Sequence, residues 1–302
     1  MSALALGTAR LGTAPERDVD PAEVHATLRA FADAGGNFLD TSSAYQGGRA
    51  EEMIGAFLAE AGRDRFVVAS KYGRTPLPNP AVAAVGNHRG AMLREVEGSL
   101  RRLQTDRIDV YFAHFDDGVT PIEEVMRGLE DLTRAGKIVH AGLSNFPAWR
   151  AATGATLADE RRWTGVAVMQ LQYNLLERAI EREHLPLAKA RGMAVMGWSP
   201  LAGGRLTRAA REDSDLTRIL SEVASETATS PAVVALAWVC AKQIIPVLGP
   251  RTRAHLVEQL AVGELQLTAS QRDRLDAASG FAPGHPYDLL AQQQALLGMG
   301  VQ

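Results

Sequence analysis

Short apolar runs alternate with longer amphipathic ones from the start of the chain to about residue 260. The runs at 3–6, 37–40, 66–71, 109–114, 138–144, 167–172, 193–199 and 244–248 predict eight strands. Most are near-continuously apolar. That is the pattern of parallel strands covered on both faces, because only a strand with one wet face needs to alternate. The longer runs at 21–34, 49–61, 90–103, 121–135, 148–157, 177–190, 213–226, 231–242 and 252–260 predict helices. Their ends carry punctuation. Asp20 precedes Pro21, whose missing N–H costs nothing in a first turn, and Gly35-Gly36 ends that helix. Around residue 121 the reading is the same, with Thr120 as cap, Glu123 at the capping-box position and Gly136 as terminator.

Strand starts recur about every 30 residues, the length of one βα unit. With no linker-like change of composition, these units predict a single α/β domain over 1–302. Its expected form is a (β/α)8 TIM barrel with extra helices, and a C-terminal segment, 281–302, lining the pocket or an interface. The long interval after the seventh strand holds a glycine-rich loop and an extra helix. A doubly wound sheet would want Gly-x-Gly-x-x-Gly after its first strand. Gly7-Thr8-Ala9-Arg10-Leu11-Gly12 lacks that spacing.

Composition narrows the function classes. At 46% apolar and 22% charged residues the chain is of ordinary globular type, which excludes disordered and fibrous readings. Its 32 basic and 35 acidic side chains give a net charge of −3, without the basic excess of a nucleic-acid binder. The lone Cys240 gives no disulfide framework, and no His-x-x-x-His spacing suggests a metal site. The longest apolar run, 231–241, stops at Lys242, short of the ~20 residues of a membrane helix. The start lacks the layout of a secretory signal. A soluble cytoplasmic protein acting on a small molecule is the expectation, with no metal, membrane or nucleic-acid partner.

In a barrel of this kind, catalytic side chains sit at the C-terminal ends of strands. Those positions hold Asp40, Tyr45 in the loop beyond it, Lys71 and His114. Each alone has an ordinary reading: a loop acceptor, a packed ring, a paired lysine, a satisfied core histidine. Together they suit proton donation to a developing alkoxide. A phenol of pKa about 10 is a poor acid at neutral pH. An ammonium roughly 4 Å away, at an effective dielectric near 20, favours the phenolate by up to ~4 kcal/mol, about three pKa units. That predicts a phenol near working pH, with Asp40 orienting Lys71 and taking back part of the shift. His114 would donate to the same carbonyl oxygen. These groups polarise a carbonyl, and the hydride must come from a cofactor.

The stretch Gly36-Asn37-Phe38-Leu39-Asp40-Thr41-Ser42-Ser43-Ala44-Tyr45, followed by Glu51-Glu52-Met53-Ile54-Gly55, resembles the signature of the aldo-keto reductases. Leu100-Arg101-Arg102-Leu103 with Asp106-Arg107-Ile108-Asp109 and His114 resembles a second block of that family. Thr120-Pro121-Ile122-Glu123-Glu124 and Gly142-Leu143-Ser144-Asn145-Phe146 resemble a third. The resemblance spans almost the whole chain and implies a TIM barrel that binds NADPH (NADP+) in extended form. It implies Asp40, Tyr45, Lys71 and His114 as a complete catalytic tetrad. By position, Ser144, Asn145 and Gln170 match residues that hold the nicotinamide carboxamide, and Trp198 the aromatic under the ring. Ser199, Leu201, Gly203 and Arg205 fall in a loop that folds over the pyrophosphate, whose glycines permit close backbone approach. Gly249, Arg251, Glu258 and Gln259 match the adenosine end, where Arg251 and Thr252 open a helix that would meet a 2′-phosphate. His255 and Gln259 depart from the residues usual there, and the β-hairpin that many relatives carry before the first strand is short or missing.

The resemblance implies reduction of an aldehyde or ketone to an alcohol. A Schiff-base aldolase using Lys71 and a non-catalytic, nucleotide-binding regulatory subunit stay open beside it. The substrate is unspecified. Its pocket is expected to be walled by Phe115, Tyr72 and 281–290, with 291–302 forming a helix.

Overall fold

The computed structural model describes residues 2–12, 20–74, 85–207 and 214–297. Eight strands form a closed parallel barrel: β1 (Ala5–Gly7), β2 (Phe38–Asp40), β3 (Val67–Tyr72), β4 (Ile108–Ala113), β5 (Ile138–Ser144), β6 (Val166–Gln172), β7 (Ala194–Trp198) and β8 (Ile245–Leu248). Every expected strand is present to within a residue or two. Each pairs with the next, as in Lys71 opposite Phe112 and Ser144 opposite Gln170, and β8 closes on β1 with Leu248 opposite Leu6.

The period of two along each strand positions the site. Ala5, Phe38, Ala69, Val110, Phe112, Met196 and Val247 fill the barrel interior, while the outward set packs beneath the helices. Gly142 contributes by having no side chain, because a Cβ there would collide with the Phe112 ring. Two residues beyond this apolar layer, the inward positions are Asp40, Lys71, His114, Ser144, Gln170 and Trp198. A polar layer therefore sits directly on an apolar plug. At the opposite end, inward-facing Val67, Val168, Ala194 and Ile245 are half-buried and His140 is exposed. No described strand precedes β1.

The helices are α1 (Pro21–Asp33), α2 (Arg49–Ala61), α3 (Arg89–Leu103), α4 (Ile122–Arg134), α5 (Ala148–Arg161), α6 (His184–Arg191), α7 (Asp215–Glu226), α8 (Pro231–Ala241), α9 (Arg253–Leu260), α10 (Ala269–Ala278) and α11 (Tyr287–Leu296). Asp20 caps α1, accepting from Ala22 N and Glu23 N. The expected Thr120 cap on α4 is not made. Thr120 is drawn instead to Asp117, whose carboxylate accepts from the Thr120 hydroxyl at 2.7 Å and amide at 2.8 Å, and Pro121 takes the cap position. The single helix expected over 177–190 is a 3-10 turn, Ala179–Glu181, followed by α6. Helix α10 was not anticipated, although the Thr268-x-x-Gln271 capping box that starts it stands in the sequence. No single described helix is long and apolar enough to cross a membrane.

The C-terminal segment docks on the β6–α6 connection. Phe281 lies under the guanidinium groups of Arg178 and Arg182, and Tyr287 donates to Glu183. Leu289, Leu290, Leu296 and Leu297 of this segment are exposed, and 298–302 of the expected tail lie outside the described residues.

Candidate active site

Lys71 is fully buried at the end of β3. Its ammonium bonds Asp40 Oδ1 and Oδ2 at 2.8 and 2.7 Å and the Thr41 carbonyl at 2.8 Å, with Tyr45 Oη 3.3 Å away. Burying either charge alone would cost several kcal/mol. Burial pulls the Lys71 pKa down, but the Asp40 carboxylate and the Tyr45 oxygen outweigh it, and the ammonium is held above its usual range. Gln170, buried on β6, donates to Asp40 Oδ1 at 2.7 Å from across the mouth.

Tyr45 opens a 3-10 turn, Tyr45–Gly48, in which Gln46, Gly47 and Gly48 all have positive φ. Gln46 braces the turn, its amide donating to the Thr8 and Leu11 carbonyls at 3.2 Å. Burial is the largest influence and raises the Tyr45 pKa, and with Asp40 adding to the rise it outweighs the lowering by Lys71. The expected shift toward working pH is therefore reversed. The lysine charge is already neutralised by Asp40, and the phenol loses water that an exposed tyrosine would keep. The site holds a neutral phenol beside a fixed cation.

His114 sits one residue past β4, its amide donating to the Tyr72 carbonyl at 3.0 Å. Its ring meets that of Tyr45 edge to face, with centroids 5.7 Å apart. Burial, then the charges of Lys71 and Arg74, push its pKa down to about 3, which leaves a neutral imidazole. Nδ1 lies 3.2 Å from Ser42 Oγ.

The remaining strand ends complete the rim. Asn145, in a left-handed conformation after β5, donates through Nδ2 to the His114 carbonyl and to Ser144 Oγ, both at 2.9 Å. Its Oδ1 accepts from Trp198 Nε1 at 2.9 Å. The structure thus joins His114, Ser144, Asn145 and Trp198 in one bonded set, and Asp40, Tyr45, Lys71 and Gln170 in another beside it.

The loop after β7 turns through positive φ at Ser199, Ala202, Gly203 and Gly204, with Leu201 half-buried and Arg205 exposed. After β8, Gly249 is exposed, Arg251 is half-buried and Thr252 caps α9, accepting from His255 N. Glu258 is exposed, whereas Gln259 is buried with an Oε1 that lacks a donor. One contact was not foreseen: Glu23 of α1 accepts from Arg253 N at 2.5 Å. Two of the α9 amides expected to face a phosphate are therefore engaged.

Tyr72 departs from expectation as well. It points outward from the barrel, fully buried and stacked on Tyr111 at 5.4 Å, so it cannot wall a substrate pocket. Phe115 is half-buried beside His114 in sequence. A polar layer behind β3 was also missed, in which Ser43 bonds Glu95, and Glu51 joins Ser70 to Arg102.

A sequence model of the aldo/keto reductase family matches residues 3–279. The chain belongs to the aldo/keto reductase family. It is similar to the aldo-keto reductase ausK of Aspergillus calidoustus, 32% identical over 99% of this chain and 84% of the relative. It is 32% identical to an aryl-alcohol dehydrogenase [NADP(+)] of Phanerodontia chrysosporium, over 86% of this chain and 77% of that one. Norsolorinic acid reductase of Aspergillus flavus is 32% identical over 96% and 81%. This aldo-keto reductase is accordingly an oxidoreductase, and the residues at its rim fit a nicotinamide dinucleotide. Amide and hydroxyl groups gather beside the tetrad, an indole stands at the β7 end, and the orphaned Gln259 oxygen can accept from an amino group such as that of adenine.

Proposed function

We propose that this enzyme reduces an aldehyde or ketone to the alcohol with NADPH, Tyr45 donating the proton. The observation that carries the reading is the Lys71 ammonium, fixed by Asp40 and Thr41 with the Tyr45 oxygen 3.3 Å away. A bound reduced nicotinamide supplies the hydride. Ser144, Asn145 and Gln170 would hold its carboxamide, Trp198 would cover the ring, and Arg251 with Arg253 would meet a 2′-phosphate. Tyr45 keeps its proton until charge develops on the carbonyl oxygen. The cation beside it then favours the phenolate, so the interaction strengthens toward the transition state. The neutral His114 orients the same oxygen by donating a hydrogen bond.

Lys71 is unsuited to Schiff-base chemistry, because an amine locked as an ammonium between Asp40 and Thr41 has no lone pair to offer. The name of the aryl-alcohol dehydrogenase favours an aromatic carbonyl as substrate. In an assay of NADPH oxidation against aromatic aldehydes and ketones, Tyr45→Phe should lower kcat by roughly 10²–10⁴-fold. Its affinity for NADPH, followed by quenching of tryptophan fluorescence, should be unchanged. Full turnover by that variant would remove the tyrosine from its role.

A further inference from the structure

A hydroxyl has one proton to give. Ser43 Oγ, two residues before Tyr45, lies 2.7 Å from Glu95 Oε2 and 3.0 Å from the Lys71 carbonyl oxygen. An ionised Glu95 makes both of these acceptors, and one bond is left unmade. A protonated Glu95 satisfies all three groups: it donates to Ser43, and Ser43 donates onward to Lys71 O. Its other oxygen, Oε1, accepts from Gly73 N at 3.3 Å in either state.

Ser42 faces the same choice one step along. Its Oγ accepts from Ala44 N at 3.2 Å and lies 3.2 Å from His114 Nδ1 and 3.4 Å from Lys71 O. Lys71 O already accepts from Ser43 N at 3.2 Å, and a carbonyl oxygen has two lone pairs. Whichever serine hydroxyl donates to it fills the second. When Ser43 does so, Ser42 is left to donate to His114 Nδ1, and the imidazole proton sits on Nε2.

We propose that Glu95, in its neutral form, is a positioning residue that sets the tautomer of His114 through Ser43, the Lys71 carbonyl and Ser42. In that state Nε2–H is a donor for the substrate oxygen. When Glu95 loses its proton to solvent, Ser43 turns to the carboxylate and Ser42 turns to Lys71 O. His114 then gives up its Nε2 proton to solvent and takes one at Nδ1, facing Ser42 Oγ. Nε2 becomes an acceptor and repels a carbonyl oxygen.

The groups around Glu95 are Glu51 from α2, Arg102 from its own helix, Tyr72 from β3 and Tyr111 from β4. Burial first, and then Glu51, raise the carboxyl pKa against the bonds from Ser43 and Gly73 and the charge of Arg102, and the net direction is upward. The neutral form thus extends above the usual carboxylate range.

The test is ¹⁵N NMR of histidine-labelled protein across pH, with the His114 signals assigned by their loss in His114→Gln. Wild type should pass from the Nε2–H to the Nδ1–H tautomer as pH rises. Glu95→Gln should stay Nε2–H throughout, because its amide can donate to Ser43 while its oxygen accepts from Gly73. Ser43→Ala, which frees Lys71 O for Ser42, should stay Nδ1–H. The kinetic consequence rests on the carbonyl-reduction reading: wild-type kcat on an aromatic aldehyde should fall at least tenfold over the same pH interval. Glu95→Gln should be flat there, with KM for NADPH unaltered in both. A single tautomer in wild type at every pH, or a Glu95→Gln protein that titrates like wild type, overturns the proposal. A tautomer that follows Glu95 in a protein with no reductase activity supports it and counts against the carbonyl reading alone.

Discussion

The two sides of the barrel mouth are built differently. At the ends of β2, β3, β4 and β6, Asp40, Lys71, His114 and Gln170 are buried and bonded to one another or to fixed backbone. Around β8 and α9, Gly249, Arg253 and Glu258 are exposed, and Gln259 holds a buried acceptor without a donor. On the first side the charged groups are held by one another, whereas the second leaves Gln259 Oε1 without a donor that a ligand's amino group could supply. Chemistry gains from groups that need no rearrangement as charge develops, while a binding surface can leave partners open until the ligand supplies them.

The largest expected effect tests how far the bonded side depends on its central ion pair. Lys71→Met leaves Asp40 buried with one charge and only the Gln170 amide beside it. Stability should fall by about 3–5 kcal/mol in urea unfolding, the cost of an uncompensated buried charge. Turnover should fall by at least about a hundredfold. Adding Asp40→Asn should restore much of the stability and none of the activity. Recovery of activity in the double variant would show that the cation is not what the phenol needs.

How legible each side was in the sequence follows the same division. Asp40, Lys71 and His114 could be found because strand periodicity is local: once a run is known to be a buried parallel strand, its end and its inward face are known. Glu95, Ser43 and Tyr72 could not be read this way. They sit on a helix, in a turn and on the outer face of a strand, where what a residue meets depends on packing between distant segments. Tyr72 reads as a wall because it follows Lys71, yet that adjacency turns it to the opposite face. Glu23 is likewise an ordinary first-turn acid of α1 until the fold brings it to α9, 230 residues away in sequence. The phenol was misjudged for another reason. Sequence shows which charges can be near, but burial, the largest influence on Tyr45, is a property of the folded whole.

A smaller effect separates His114 from an ordinary surface histidine. Its pKa is held at about 3 in the folded protein against 6.5 when unperturbed, so between those values the unfolded chain binds the extra proton. Stability contributed by this group is therefore complete above pH 6.5 and declines as pH falls toward 3, by up to about 1.4 kcal/mol per unit. His114→Gln should flatten that part of the acid slope in urea unfolding followed at successive pH values. Wild-type kcat should show no limb from His114 protonation between about pH 5 and 8. A fall in kcat as pH drops through that range, still present in Glu95→Gln and lost in His114→Gln, would contradict the neutral imidazole.

The smallest expected effect falls on the open side. Glu23 places a carboxylate on the first amide of α9, that of Arg253, two residues after Arg251 and where a 2′-phosphate would be bound. An anion at a helix N-terminus gains from the free amides and the dipole, and a resident carboxylate both occupies an amide and repels the newcomer. Glu23→Gln keeps an acceptor for Arg253 N and removes the charge. The NADPH dissociation constant should drop by roughly three- to tenfold, corresponding to ~0.6–1.4 kcal/mol, with that for NADH nearly unchanged. Because NADH lacks the extra phosphate, the ratio of the two constants isolates the charge from any change in packing. Equal tightening for both coenzymes would place Glu23 outside phosphate recognition and leave it as a brace between α1 and α9.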